Sequence, residues 1–426
     1  MQLGFAEKRM LSGEEGPLVR EAMLFLIELG EVFKAKRMID IEFAFVYMAN
    51  QTEGLETGPL SQAYIQDAIE RGVRVKVPTV GGLGSVDTDC WEEMKISHAE
   101  VERFIKDSEM EARLGILPVG TCTPYLVTDM NKLSLGTHMV TIESSAVPFY
   151  NAVLGARVNR GGISGFFAAI TGKYPDMGYH VTENRYANIQ VDVTTPLKNA
   201  TDFGALGMYV GEIAGLNTPV FTGIKKATLP ELIALSSAIA TGGAVSMFHI
   251  PGITPEAKDL KSALNGSAPQ CVIVFGGNEM ASIYARYSGE QGEPIDMVVL
   301  GCPHYTIHQV SLISRFLEGK KVAKNVKFIV SMAPQTKFLA GQMGYIKTII
   351  EAGGMVISRT CPILSAGCPG PVFSFTHPEY TSGTVATDSL KFVAYAKSTI
   401  AATRTILGNT QDCVQAVLTG RWGRRQ

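Results

Sequence analysis

The chain has 426 residues, 46% of them hydrophobic, with 38 Lys and Arg against 40 Asp and Glu, for a formal net charge of -2. That length exceeds one ordinary core and predicts two or three domains, and the near-neutral charge without a long basic run excludes nucleic acid as the main partner. The start carries Glu7, Lys8 and Arg9 with no apolar stretch behind them, and the longest uncharged segment, Leu232 to Ile253, is broken by Gly242-Gly243; neither a secretory leader nor a membrane span is expected, which points to the cytoplasm.

In chain order, a helix from Glu14 or Glu15 to Phe33 comes first, with Ser12 as cap, Glu15 as its capping-box partner and Pro17 in the first turn. A strand-like run around Met38 to Met48, a helix Ser61 to Arg71, a strand Val73 to Val77 and a loop Pro78 to Asp89 follow. Gly81-Gly82-Leu83-Gly84 in that loop lacks both the GxGxxG spacing and the P-loop Lys-Ser/Thr, and reads better as a flexible loop than as a phosphate cradle. A charged helix, His98 to Leu114, leads to a strand Ile116 to Val119. Gly120 and Thr121 turn the chain there and Pro124 ends sheet pairing, so Cys122 stands at a strand end. Ser144 or Ser145 then caps a helix through Leu154 that carries Asn151, and Arg157, Asn159 and Arg160 fall into a Gly-Gly loop, with Glu143 nearby.

A helix Ile163 to Ile170 precedes a loop Thr171 to Arg185 that holds Tyr179, His180, Glu183, Asn184 and Arg185. From Ile189 onward strands and helices alternate. The strands are Ile189 to Val193, Pro219 to Phe221, Ala244 to His249, Cys271 to Phe275 and Met297 to Leu300, with helices Phe203 to Ile213, Leu229 to Ala240 and Glu279 to Tyr287 between them. Such repetition predicts an α/β fold of parallel or mixed sheets flanked by helices. The last strand runs into Gly301-Cys302-Pro303-His304. Helix Ile307 to Leu317, strand Lys327 to Val330, helix Thr336 to Ala352 and strand Met355 to Ser358 then lead to Thr360-Cys361-Pro362.

The seven cysteines form an odd count without CxxC, which disfavours a disulfide framework and a zinc ribbon. Cys122, Cys302 and Cys361 share one context: an apolar strand, Gly or Thr, the Cys, and Pro within two residues. Ligands gather at strand carboxyl ends in open α/β sheets, and three thiols from three strand ends suit an iron–sulfur cluster that leaves an iron open to a hydroxy acid. Cys368, also followed by Pro, is a rival third ligand, while Cys90, Cys271 and Cys413 read as packing. Two other readings stand beside the cluster: a transferase with Cys302 as nucleophile, activated by the following helix N-terminus and His304, and a divergent chain that keeps the cluster without catalysis.

Gly-Thr-Cys-Thr-Pro-Tyr-Leu, Glu-Ser-Ser-Ala-Val, Val-Leu-Gly-Ala-Arg-Val-Asn-Arg, Ile-Thr-Gly-Lys-Tyr-Pro, His180 with Glu183-Asn184-Arg185, Gly-Cys-Pro-His and Arg-Thr-Cys-Pro together resemble the large subunit of the aconitase X family over nearly the whole chain. The resemblance implies an aconitase-like multidomain arrangement around a central cluster cleft, which we divide at 1–115, 116–290 and 291–426. It implies a hydro-lyase acting on a small hydroxy-carboxylate such as mevalonate 5-phosphate or cis-3-hydroxy-L-proline. It also implies an iron–sulfur cluster on Cys122, Cys302 and Cys361, [4Fe-4S] rather than [2Fe-2S]. Asp388-Ser389-Leu390-Lys391 then matches the family segment in which Ser389 would be the base, with Lys391 stabilising its alkoxide; the bland reading of Ser389 is a cap for the helix through Lys397. Glu143, Ser144, Asn151, Arg157, Asn159, Arg160, His180, Glu183, Arg185 and His304 would hold substrate, with the three arginines clamping carboxylate or phosphate. The family further implies a separate small swivelling subunit, for which a surface of at least ~1,000 Å² near the cysteines and the loop Thr171 to Arg185 is expected. Three departures bear on substrate: Phe43-Ala44-Phe45-Val46 where relatives have a Ser-Ala-His-Val-like strand end, His308-Gln309 in place of an acidic pair, and Asp388 in place of Asn.

Overall fold

The computed structural model describes residues 1–47, 62–84, 86–94, 96–127, 133, 135–362, 383–399 and 404–423. Its strands, in chain order, are β1 (Met38–Asp40), β2 (Phe43–Val46), β3 (Thr79–Gly81), β4 (Ile116–Pro118), β5 (His138–Thr141), β6 (Arg157–Arg160), β7 (Lys173–Pro175), β8 (Ile189–Val193), β9 (Pro219–Thr222), β10 (Val272–Phe275), β11 (Met297–Tyr305), β12 (Lys327–Met332), β13 (Met355–Ile357), β14 (Thr384–Thr387) and β15 (Arg404–Leu407). They build three parallel sheets, ordered β4-β3-β2-β5-β6, β10-β8-β9 and β13-β12-β11-β14-β15, while β1 and β7 pair antiparallel. A parallel sheet must be covered on both faces, and the four residues of β2 and all nine of β11 are accordingly buried.

Sequence and structure agree on helices His98–Leu114 and Ile307–Leu317, both of which open with a capping box, from Ser97 and Thr306. They part where tertiary bonds override local pattern. The first helix is two, Phe5–Ser12 and Pro17–Val32; Gly16 caps the second, and Ser12 turns back to Arg9 and Glu14. The expected helix Thr336 to Ala352 is likewise split, at the left-handed Gly344, into Pro334–Gln342 and Tyr345–Ala352. Residues 73–77 form no strand, because Val75 N–H bonds to Leu114 and Lys76 N–H to Ala169 at helix ends; the strand comes later, as β3. The expected strand Ala244 to His249 is a single bridge from His249 to Val220. The helix before it, Leu229–Gly243, lies so close on Ala200–Ala214 that a Cβ on Gly211 would sit 2.6 Å from the Ile239 carbonyl, which accounts for the small residues there.

Arg157, Asn159 and Arg160 belong to strand β6, not to a loop, and residues Ala146–Pro148 and Phe149–Val153 form two short helical turns rather than one helix. Because β4 pairs with β3 and β5 with β2, the first sheet joins residues on both sides of the expected boundary at 115 and extends to Arg160. One apolar cluster takes Leu83, Val86, Phe104 and Cys122 from the first unit and Val299, Cys302, Ile329, Ile357, Cys361 and Phe392 from the third, so the three cysteines lie where these units meet. No helix among the described residues is long and apolar enough to cross a membrane.

Candidate active site

Each of the three cysteines follows a left-handed backbone position. Gly120 (φ 61°) lies two residues before Cys122, Gly301 (φ 96°) directly before Cys302, and Arg359 (φ 61°) two residues before Cys361. Along β11 the register against β12 shifts between Leu300 and Tyr305, so 301–304 bulge from the ladder and turn Cys302 out of it. A side chain at Gly301 would run into the Ser331 carbonyl. The kinks before Cys122 and Cys361 touch, since a Cβ on Gly120 would lie 3.1 Å from the Cα of Arg359. All three thiols are buried.

His304 ties the three segments together. Its Nδ1 lies 3.0 Å from the Thr121 hydroxyl, its Nε2 2.9 Å from the Thr360 carbonyl, and its backbone N–H donates to the Cys122 sulfur at 3.4 Å. Facing a carbonyl, Nε2 carries the proton, and Nδ1 therefore accepts from Thr121. Burial keeps the ring neutral, with its pKa lowered to about 4. Both ring nitrogens are thus engaged with the segments that carry Cys122 and Cys361, and the expected substrate contact of His304 would compete with these bonds.

Glu143 stands beside this knot. Its Oε1 accepts from Lys391 Nζ (2.8 Å) and from Ser145 N–H (3.0 Å) and Oγ (2.6 Å), and its Oε2 from the Tyr47 hydroxyl. Burial favours the neutral acid, but the Lys391 charge and these hydrogen bonds outweigh it and hold the pKa down at about 2. Lys391 is buried too, yet Glu143 and the neighbouring sulfurs of Cys302 and Cys122 raise its pKa, so it remains an ammonium. The carboxylate therefore serves as counter-ion to Lys391, and the expected substrate contact of Glu143 would compete with these bonds. Ser145 lies in the Glu-Ser-Ser-Ala-Val motif, whereas no motif marks Tyr47, which only the fold brings here.

Ser389 occupies the N-terminus of helix Leu390–Thr399, its Oγ accepting from Phe392 N–H at 3.0 Å, and it lines one cavity with Cys302. The cap and base readings share this geometry, because a backbone amide at a helix N-terminus also stabilises an alkoxide. Asp388 turns away, its Oδ2 accepting from Thr410 (2.6 Å) and Tyr305. A cavity of about 40 Å³ beside Cys302, Ser389 and Lys391 has room for water only. Burial, and then the Glu143 carboxylate, push the Cys122 thiol up to about 12, and burial raises Cys302 as well. That is the opposite of an activated nucleophile, and the transferase reading loses its support.

The remaining expected ligands form a separate structural network. Arg185 is 1% exposed; its Nε donates to Glu256 (3.0 and 2.9 Å), Nη1 to Asn151 Oδ1 (2.9 Å) and the Tyr179 carbonyl (3.0 Å), and Nη2 to the Asn151 carbonyl (3.1 Å) and Glu256. Asn151 spends its amide on the Val158 and Ser246 carbonyls, and Asn159 pins the turn at Met177 and Tyr179. Arg157 donates to the His180 carbonyl (2.6 Å) and Thr182 (2.9 Å), and His180 shares its Nδ1 with His138 at 2.9 Å. Groups so engaged brace the segment 171–185, and a substrate anion would compete with these partners for them. Arg160 and Glu183 are exposed and Ser144 half-buried. Cys368 lies outside the described residues; Cys413 is buried in the third core, Cys90 is half-buried and Cys271 is exposed.

Among the described residues, no three His, Cys, Asp or Glu side chains close around a single metal ion. A multinuclear cluster binds one thiolate per iron and calls for donors spread apart, as these three are on separate strand ends.

Comparison with known proteins gives three matches to family descriptions that tile the chain: "Aconitase X first domain" over 1–183, "Aconitase X second domain" over 187–285 and "Aconitase X third domain" over 295–419. The phosphomevalonate dehydratase large subunit of Methanothermobacter thermautotrophicus is 36% identical, over 84% of this chain and 87% of that protein. The cis-3-hydroxy-L-proline dehydratase of Pseudomonas aeruginosa is 28% identical, over 97% of this chain and 70% of that protein. The crystal structure of Thermococcus kodakaraensis aconitase X in its holo-form superposes with a TM-score of 0.81 at 28% identity, covering 98% of this chain and 100% of that one.

Proposed function

The chain belongs to the aconitase X family, and on that premise we propose that it removes water from a small hydroxy-carboxylate at an iron–sulfur cluster held by Cys122, Cys302 and Cys361. Its named relatives are dehydratases, and it is an enzyme of the lyase type. One observation carries the proposal: three buried thiols meet beside a buried ammonium, Lys391, and a helix-capping hydroxyl, Ser389.

The residues fit such a cluster. A bound metal would deprotonate these thiols, and the His304 N–H, which already donates to the Cys122 sulfur, and the Lys391 charge suit sulfur that carries negative charge. When bound, the cluster supplies an electrophilic iron for the substrate's hydroxyl and carboxylate. Three protein thiolates leave a fourth iron open, which favours [4Fe-4S] over [2Fe-2S]. Ser389, as alkoxide, would take the proton from the carbon beside the carboxylate; the electrons of that C–H bond form the double bond, and the hydroxide that departs takes this proton back from Ser389, leaving as water and restoring the alkoxide. The Phe392 amide and Lys391 stabilise the serine's charge, and Glu143 keeps Lys391 protonated and aimed.

Mevalonate 5-phosphate is the first substrate to try, cis-3-hydroxy-L-proline the second, following the activities in the relatives' names. Several of those relatives are named large subunits, and we take a small subunit to complete this enzyme as well. The test is an anaerobic assay of the reconstituted chain, with and without its small partner, for loss of hydroxyl from phosphorylated hydroxy acids and hydroxyprolines. Turnover of one of these is expected; iron-loaded protein inert on all of them with its partner present would favour the divergent, non-catalytic reading.

A further inference from the structure

The loop after β3, which the sequence presents as flexible, ends in a carboxylate with no solvent exposure, Asp87. Its Oδ2 accepts from the Ser358 N–H at 2.6 Å, from the Ser358 hydroxyl at 3.3 Å and from Lys337 Nζ at 3.1 Å, and its Oδ1 from the Asp89 N–H at 2.9 Å. Lys337 is also paired with the exposed Asp89 at 2.9 Å. From the same loop, Gly84 N–H donates to the Arg359 carbonyl at 2.6 Å, while His304 holds the Thr360 carbonyl. The turn 358–360, which delivers Cys361, is therefore gripped at three consecutive residues by groups outside it. It needs gripping: the left-handed region is unfavourable for a non-glycine residue, and Arg359 sits there at φ 61°.

We propose that Asp87 is a positioning residue for the iron–sulfur cluster: with Lys337 as counter-ion, it clasps the turn at Ser358 and Arg359 and so holds Cys361 where its thiolate meets those of Cys122 and Cys302. The proposal rests on the cluster reading above. Asp87 acts on Cys361 through Ser358 rather than as a ligand. Replacing its carboxylate by an amide keeps the shape but sets an NH2 group either against the Ser358 N–H and the Lys337 ammonium or, turned over, against the Asp89 N–H, and in both cases removes the charge that pairs with Lys337, so the clasp on the turn is weakened.

The test uses the full chain reconstituted anaerobically, with iron content, EPR line shape and the rate of visible bleaching under a chelator as readouts, beside thermal unfolding of the apo chain. Changes in groups that orient metal ligands typically cost about 10–100-fold in metal affinity. Asp87→Asn should therefore bleach about 10–100-fold faster with an altered EPR line shape, which a loss of global stability alone does not produce. Lys337→Gln should move in the same direction by less, and Asp89→Asn should bleach like the unaltered chain. Wild-type bleaching and EPR in Asp87→Asn overturn the proposal. If that variant does not fold, Lys337→Gln decides, and wild-type behaviour there overturns it. An unaltered chain that takes up no iron overturns the cluster reading and this proposal with it, so the two failures are told apart.

Discussion

In the proposed mechanism the serine hydroxyl and the lysine ammonium divide the chemistry between them, and variants at Ser389 and at the partner of Lys391 should fail in different ways. Removing a catalytic base costs about 10²–10⁴ in rate, whereas loss of a cap costs about 1 kcal/mol. Ser389→Ala should be folded and iron-loaded yet 10²–10⁴-fold slower by these figures; turnover within a few-fold of the parent would leave Ser389 as a cap alone. Glu143→Gln should act on stability first, because it strands Lys391 buried without a counter-ion, at about 3–5 kcal/mol by chemical denaturation. The pH dependence has a definite sign. With its pKa depressed from 4.5 to about 2, Glu143 contributes stability that is present above 4.5 and lost as pH falls towards 2. Lys391, raised from 10.5, contributes stability present below 10.5 and lost as pH rises through its higher folded value. The apo chain should thus lose stability on acidification between pH 4.5 and 2 more steeply than Glu143→Gln does; equal slopes would show that the pair does not carry it.

At the scale of elements, the β11 bulge is the feature that exposes a thiol from an otherwise unbroken buried strand. Gly301→Ala combines a left-handed position with a collision against Ser331, for a cost of about 2–6 kcal/mol, while Gly292→Ala, at φ 83° with open space around it, should cost about 1–2 kcal/mol. Comparable unfolding midpoints for the two would mean the bulge relaxes freely. The sequence announces this element well, since Gly-Cys-Pro after an apolar run is a local signal, and the same holds for Cys122 and Cys361. It says much less about the arginines. The role of Arg185 depends on Glu256, 71 positions away, and on carbonyls of a turn that does not exist until β6 and β7 are in place. Alternating Arg-Val-Asn-Arg hides β6 as a polar loop, and Tyr47 follows an apolar strand with nothing in its neighbours to mark it.

Across the whole molecule, the thiols lie in the apolar cluster shared by the first and third sheets, and helix Leu390–Thr399 brings in Ser389 while packing Leu390 and Val393 on the second unit's core. A site assembled from three units is sensitive to how its open side is closed. Exclusion of water strengthens each charge contact on which elimination depends, so the chain alone should be weakly active and gain at least ~10-fold with its small subunit. Full activity of a single polypeptide at high purity would remove the need for the partner. The central claim is that Cys122, Cys302 and Cys361 hold one iron–sulfur cluster, and anaerobic reconstitution of the chain and its three Cys→Ser variants, read as iron, sulfide and visible absorbance, tests it directly. Each single variant should lose most of its iron and colour, whereas Cys271→Ser, an exposed thiol, keeps both. A chain that stays colourless, or a Cys361→Ser variant that keeps the parent's cluster while Cys368→Ser loses it, would contradict the account.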